Sequence, residues 1–395
     1  MNFAKRISRI QPSATLAMTA KAAELREKGL EVLNMSVGEP DFNTPDHIIH
    51  SAIEAMNNGH TRYTPGGGTL NLKKAIQEKL LRDNDLQYDL NEIIVSSGGK
   101  HSLYNACQVL FESGDEVIIF SPYWVSFPDF VSVTGAKPIF INTDSANQYE
   151  PIFNELEQKI NSNTKGIIIN SPSNPTGGVW SDDAISKTID IAKKNNIWVF
   201  SDECYEQLTY DRPFKSIYTL RPDYDRILTF QSCSKTYAMT GWRIGYTCGD
   251  SRVVKAMAKL QGQSTSCPNS IAQFAAIEAL VGDQSSVKQM RDAFKIRRDL
   301  IVSRLNAIDG ISCDLPGGAF YVFPNIEKII NRNLDGKIIK NSLDLCMLLL
   351  ERQSVVSVSG NSFGADQNIR FSYATSEDII NKAMDKLKEL IDECE

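Results

Sequence analysis

RILTFQSCSKTYA (residues 226–238) starts as an apolar strand and stops at Ser232, Ser234 and Lys235. The same change of character recurs in EIIVSSGGKHSLYNA (92–106), EVIIFSPYWVSF (116–127), KGIIINSPSNPTGG (165–178) and NIWVFSDECYEQL (196–208). Each apolar run has the length of a buried strand and ends at a small or polar cluster that reads as the opening of a helix. Apolar residues at helical spacing lie between several runs, as in DAISKTIDIAKK (183–194). Alternating strands and helices predict a mostly parallel α/β sheet with helices on both faces. Ligands of such sheets bind at the carboxyl ends of the strands. The polar residues fall at those ends: Ser96 and Ser97, Asn170 and Asn174, Asp202, and Ser232 with Ser234. Each alone reads as a turn or cap residue; together they predict a shared site.

After about residue 285 the pattern changes. A helix over 289–306 leads to CDLPGGAFYVFP (313–324), another helix, SVVSVSG (354–360), IRFSYAT (369–375) and a final amphipathic helix. This predicts a smaller α+β domain, with Pro316-Gly317-Gly318 as a turn before a strand.

Bulk properties set limits. The 395 residues are 42% hydrophobic and 23% charged, with a formal net charge of -6. That balance fits a soluble protein of one large or two ordinary domains, without a drive toward nucleic acid or anionic membrane. No apolar run approaches the ~18 residues that cross a bilayer. Eight scattered cysteines without a CxxC pair read as reduced thiols of a cytoplasmic protein. His47 and His50 could share a helix face, but no third ligand stands near, and no metal is expected. Four basic residues precede the first acid, Glu24, as in a transit peptide. A folded or interface-binding arm is expected instead, because chemistry-bearing residues begin within it.

Lys235 and Arg243, in QSCSKTYAMTGWRIGY (231–246), have no acidic neighbour in sequence. A lysine in desolvated, cationic surroundings loses pKa and can form a Schiff base; the bland alternative is a surface loop lysine. Arg243 offers a fork of donors to a phosphate, and Ser232 and Ser234 add hydroxyls. A phosphate beside a reactive amine suggests a phosphorylated aldehyde cofactor. SSGGKHS (96–102) opens a helix whose N-terminus suits the same phosphate, and it matches neither GxxxxGK[ST] nor GxGxxG. Asp202 either caps a following helix or pairs with a protonated pyridine nitrogen. Tyr205, three residues on, would share its side and could donate to a phenolate oxygen. Asn174 lies in a turn whose prolines fix the backbone and aim its amide. Trp124 is either core packing or a surface for ring stacking.

Together NSPSNPTG, SDECYEQL and SCSKTYAMTGWRIGY resemble the class I aminotransferases, pyridoxal-phosphate enzymes of fold type I. The likeness continues through SRIQPSAT, VGEPDFNTP, RYTPGGG, GGK, SPYWVS, GGAFYVF and IRFSYATSE, and is most similar to the bacterial-type aspartate aminotransferase subgroup. The resemblance implies that Lys235 holds pyridoxal 5'-phosphate covalently and shuttles the proton. Asp202 would meet the ring nitrogen, Tyr205 and Asn174 the ring oxygen, and Trp124 the ring face. Arg243, Ser232, Ser234 and the Gly99–Lys100 backbone would hold the phosphate. Tyr63 would reach the phosphate of a neighbouring subunit, implying a homodimer with shared sites. Arg370, Gly38, Asn174 and Trp124 would contact substrate, with Arg370 on the α-carboxylate. Lys100, helped by Ser13 and Thr15, would read the distal carboxylate of aspartate or glutamate. A division into an arm (1–45), a large cofactor-binding domain (46–290) and a small domain (291–395) is expected.

Departures are few. QSCSK stands where the subgroup commonly has NGxSK, PGGGTL is unusually rich in glycine, and Gln11 replaces a basic residue often found there. The last leaves use of bulkier dicarboxylates such as prephenate open. Rival chemistries on the same scaffold are aromatic or alanine transamination, a carbon–sulfur β-lyase and a ring-forming synthase. A non-catalytic pyridoxal-phosphate-binding regulator is disfavoured because no basic DNA-binding extension is present, and a dehydrogenase because GxGxxG is missing.

Overall fold

The computed structural model describes residues 3–10, 14–27 and 29–394, without the side chains of residues 14–19. Gln11 and Ser13 lie outside the described residues, and Thr15 is placed only as backbone in helix Ala14–Glu27.

The large sheet has seven strands: β1 (Ile93–Ser96), β2 (Glu116–Ser121), β3 (Lys137–Asn142), β4 (Thr164–Asn170), β5 (Trp198–Asp202), β6 (Ile227–Ser232) and β7 (Gly245–Cys248). Their order is β1-β7-β6-β5-β4-β2-β3, and only β7 runs antiparallel to its neighbours. Near-continuous Ile, Val and Phe runs bury both faces, as a covered parallel sheet requires. Ser96, Ser121, Asn170, Asp202 and Ser232 are the last residues of their strands. Register keeps them together, with Asn170 opposite Asp202 and Gly245 opposite both Ser96 and Ser232. The expected polar edge is therefore a continuous feature.

The chain leaves these strands in more ways than a simple strand-to-helix pattern allows. Helix Gly99–Leu110 comes almost directly after β1, and the short helix Cys233–Thr236 directly after β6. After β2 and β4 the chain runs through loops first. Pro122, Pro172 and Pro175 lack an N–H and disfavour helix at the residue before them. After β5 the chain makes a turn, and Asp202 Oδ1 accepts from Cys204 N at 3.2 Å. Asp202 thus caps a turn where a helix cap was the alternative. Helix Asp182–Lys194 starts one residue before the expected stretch. Ser181 caps it, accepting from Ala184 N at 3.1 Å, and acids at its start and lysines at its end complement the dipole.

A second unit packs over the edge. Its sheet has β8 (Tyr321–Val322), β9 (Val358–Ser359) and β10 (Ile369–Ser372) in the antiparallel order β9-β10-β8. Helices Ser285–Asn306, Ser342–Gln353 and Glu377–Asp392 cover it. The first of these begins four residues before the expected 289. Its core joins Phe294, Leu349, Phe371 and Leu387 with Leu33 and Met35 from the N-terminal segment and with Tyr205 and Leu208 from the loop after β5. No helix among the described residues is long and apolar enough to cross a membrane.

Beneath the edge lies a buried polar network. Lys79, 1% exposed, donates to Asn84 Oδ1 at 2.8 Å, to Gln231 Oε1 at 2.9 Å and to Glu206. Gln231 donates to Glu203 Oε2 at 3.1 Å and accepts from Tyr246 Oη at 2.8 Å. Because Glu203 and Glu206 bracket Cys204–Tyr205 and Gln231 precedes Ser232, the network fixes two arms of the edge from below. Removing one member of a buried ion pair strands the other without water. Lys79→Met should therefore lower stability by about 3–5 kcal/mol, read as a fall in the urea unfolding midpoint. An unchanged midpoint would show that the network carries no stability.

Candidate active site

The carboxyl edge and the second unit enclose a cavity of about 1110 Å³. Gly38, Gly99, Lys100, Trp124, Asn174 and Asp202 line it, as do Tyr205, Ser232, Ser234, Lys235, Arg243 and Arg370. Of the predicted site residues with described side chains, only Tyr63 stands outside. It is 90% exposed and lines no part of this chain's cavity.

Lys235 is half-buried in the short helix after β6, and its Nζ donates to the Gly38 carbonyl. Burial pulls its pKa down to about 8; Arg243 and Arg370 push the same way, against Cys204 and Glu39. Asp202 ends β5 and is buried, which pushes its carboxyl up to about 6, opposed by the Cys204 hydrogen bonds and by Lys235. Asn170 aligns the two strand ends: its Nδ2 donates to Asp202 O at 3.1 Å, and its Oδ1 accepts from Asn174 N at 2.9 Å.

Part of the cavity wall gathers groups that favour an anion. Helix Gly99–Leu110 presents its N-terminus there, with Gly98 before it at φ 95°. A Cβ on Gly98 would lie 2.3 Å from the Arg243 guanidinium, and one on Gly245 would lie 2.2 Å from Gly99 N. Only glycine lets helix, strand and arginine approach so closely. Ser232 Oγ donates to Ser234 Oγ at 2.8 Å and accepts from Ser234 N at 3.1 Å.

Arg370, from β10, lines the same cavity. It donates to Asn174 Oδ1 and Ser36 O, each at 2.8 Å, while its buried Nε has no partner among the described residues. Tyr321 and Phe363 lie 4.5 and 4.9 Å from the guanidinium. Lys100 is an exposed residue, but its Nζ sits 5.0 Å over the Trp124 ring, and partial desolvation there, then Arg243, lower its pKa, against Asp129. Among the described residues, Lys235, Arg243 and Arg370 form no ion pair. Donor set and space fit a phosphorylated pyridine aldehyde: an amine, a carboxylate without a cationic partner, and a hydroxyl–guanidinium–helix cradle. Tyr321, whose hydroxyl lies 2.9 Å from that of Tyr205, was not singled out by sequence reasoning. Its strand has two residues, too few for alternation to show which side chain faces the cavity.

Fold and site define an α/β transferase of fold type I. The chain belongs to the aminotransferase class I and II family, whose profile matches residues 31–387. It is 44% identical to a probable aspartate/prephenate aminotransferase of Rhizobium leguminosarum bv. phaseoli, over 99% of each chain. It is 42% identical to an aspartate aminotransferase of Bacillus subtilis (strain 168), again over 99% of each. A crystal structure of the aspartate aminotransferase from Rhizobium meliloti superposes with a TM-score of 0.97 at 41% identity, covering 100% of both chains. The Thermus thermophilus aspartate aminotransferase with maleate gives 0.93 at 37% identity, covering 99% of this chain and 100% of that one.

The lowered pKa of Lys235 has a direct readout. Only the neutral amine attacks a carbonyl, so in protein stripped of any aldehyde cofactor the reductive alkylation of Lys235 by a small neutral aldehyde should rise through pH about 8 and then level. An ordinary lysine continues to gain up to about pH 10.4. Arg243→Gln removes a like charge and should move the midpoint upward. Peptide mapping across pH gives the midpoint, and a value near 10 in the unaltered protein refutes the burial argument.

Proposed function

We propose that this chain is an aminotransferase that moves the amino group of L-aspartate to 2-oxoglutarate, giving oxaloacetate and L-glutamate, with pyridoxal 5'-phosphate as cofactor. The observation that carries the reading is one cavity lined by the amine of Lys235 and by two further cations, Arg370, whose Nε has no partner among the described residues, and Lys100. Two carboxylates of one small substrate match that arrangement. The names of relatives 42% and 44% identical over nearly the whole chain support it.

Bound in the cavity, pyridoxal 5'-phosphate would supply the electron sink that carries the charge left when Cα loses its proton. Arg243, Ser232, Ser234 and the backbone at Gly99 would hold its phosphate. Asp202 would hold a protonated ring nitrogen; that cation favours the ionised carboxylate, reversing the effect of burial. Asn174 and Tyr205 would face the ring oxygen and Trp124 the ring. Arg370 would clamp the α-carboxylate with the Gly38 backbone beside it, turning the Cα–H bond toward Lys235. Lys235 Nζ, the point of attachment, would once free take that proton and later return one. The second unit closes over the site and limits water. Lys100 would read the distal carboxylate, with Ser13 and Thr15 proposed as helpers. The two half-reactions share one cavity, so the kinetics should be ping-pong. Exposed Tyr63 is assigned to the phosphate of a second copy, which makes the working form a homodimer.

A second reading, use of prephenate as well, is supported by the name of the relative at 44% identity.

Lys235→Ala should abolish turnover, and full activity in that variant would sink the assignment. Rapid-mixing absorbance should show fast conversion by aspartate and glutamate and slow conversion by alanine and aromatic amino acids. Lys100→Ala should compress that ranking by roughly tenfold or more, the scale of a charge-assisted hydrogen bond of ~1.5–3 kcal/mol. An unchanged ranking would show that Lys100 does not read the distal carboxylate.

A further inference from the structure

Tyr205 Oη and Tyr321 Oη lie 2.9 Å apart, and both residues are buried. Tyr205 sits on the loop after β5, whereas Tyr321 belongs to β8 of the second unit. A phenol has one proton, so only one of the two can be the donor. Among the described residues Tyr321 Oη has no other partner, and a Cβ on Gly38 would pass 3.3 Å from it. Arg370 stacks 4.5 Å from the Tyr321 ring. A cation over the ring draws electron density from the phenol, making its hydroxyl a better donor and a poorer acceptor.

We propose that Tyr321 is a positioning residue: it donates its proton to Tyr205 Oη, leaving the proton of Tyr205 directed toward the ring oxygen of the bound cofactor. This rests on the pyridoxal-phosphate reading above. Burial raises the pKa of both phenols, Tyr321 to about 12, so each keeps a proton to give. The charged and titratable groups facing the pair are Arg370 from β10, Glu39 from the segment beside Gly38, and Cys204 next to Tyr205. Lys235 and Asp202 share the cavity wall. Glu39 opposes Arg370 at Tyr321, but Arg370 is the larger influence there after burial. A hydroxyl from one unit thus sets the orientation of a cofactor-facing phenol on the other.

The relay fixes the sign of the effect. A donor to the ring oxygen holds negative charge there and makes the proton shared with the Lys235 nitrogen easier to lose. Tyr321→Phe keeps the ring and its contact with Arg370 but removes the donor, so that proton should be held to higher pH. In the holoenzyme the half-titration pH of the long-wavelength cofactor absorbance should rise by roughly 0.4–1 unit, the equivalent of one hydrogen bond. In a Tyr205→Phe background the same change should leave the titration where Tyr205→Phe alone puts it. The KM for the keto acid should stay within about twofold, since no contact to Arg370 is lost, while kcat falls several-fold. An unshifted midpoint in Tyr321→Phe overturns the relay, as does a shift of equal size in the Tyr205→Phe background. Absence of any titrating cofactor band in the unaltered enzyme would overturn the pyridoxal-phosphate reading and this inference with it. A thermal melt of each variant checks folding. Should Tyr321→Phe unfold, Arg370→Lys supplies the second test: because Arg370 also acts on Lys235 directly, the relay is the part of the midpoint rise that a Tyr205→Phe background abolishes, and a rise of equal size in that background, or no rise at all, overturns it.

Discussion

Charge removed from water without a counter-charge is the constraint on which this structure depends. Asp202 and Arg370 are buried, Lys235 is half-buried, and among the described residues neither cation forms an ion pair. Isolated charges in a protein interior are costly and relax by shifting their pKa toward neutrality. Lys235 does so, falling to about 8, and Asp202 does so, rising to about 6. The same desolvation makes the site reactive: a lysine near neutrality is a nucleophile, and a buried carboxylate without an ion pair among the described residues favours a cationic ligand.

Holding such groups in place falls to neutral hydrogen bonds and to packing. The carbonyls of Gly38 and Ser36 and the amide of Asn174 satisfy Lys235 and Arg370 without cancelling their charge. Below them the ion pair of Lys79 with Glu206 and the hub at Gln231 brace the strand ends. The segment after β5 is then stitched into the second unit. Ala319 N donates to Leu208 O at 2.9 Å, and Tyr210 N donates to Gly317 O at 3.1 Å. Arg298 reinforces the seam, donating to Asp211 and to Pro316 O at 3.0 Å. Displacement of the second unit therefore reaches Tyr205 through backbone as well as through side chains.

Much of this is legible in the sequence because it is local. An apolar run ending in a polar cluster identifies both a strand and its carboxyl end, so Ser96, Asn170, Asp202 and Ser232 can be placed on one edge. The helix after the 98–99 glycines is likewise written within a few residues. The remainder depends on distance along the chain. Lys79 and Glu206 are 127 residues apart, and Tyr205 and Tyr321 are 116 apart. In sequence Lys79 is one more cation on an amphipathic helix, and nothing near it announces a buried carboxylate. The turn after β2 reads wrongly as a helix opening although Pro122 is visible, because strand-then-helix periodicity outweighs a missing N–H in such a reading, whereas after β4 the prolines flanking Asn174 do announce the turn.

The two candidate carboxylate-binding cations differ in a way that bears on the chemistry. Arg370 is a planar fork, held at two nitrogens and set 4.5 and 4.9 Å from the rings of Tyr321 and Phe363. Lys100 is exposed and rests its ammonium over Trp124. A fixed fork suits the carboxylate common to every amino acid, since any freedom there would spoil the aim of the Cα–H bond at Lys235. At the distal end a fixed group would be a fault. In the proposed cycle one cavity alternates between aspartate and glutamate, which differ in length by a methylene. A rigid pair of forks would match one of them and strain the other. A flexible four-carbon stem ending in a point charge can track the carboxylate over that difference at a modest cost in side-chain entropy. Rigidity at the shared group and compliance at the variable one are what a two-substrate, single-cavity reaction requires.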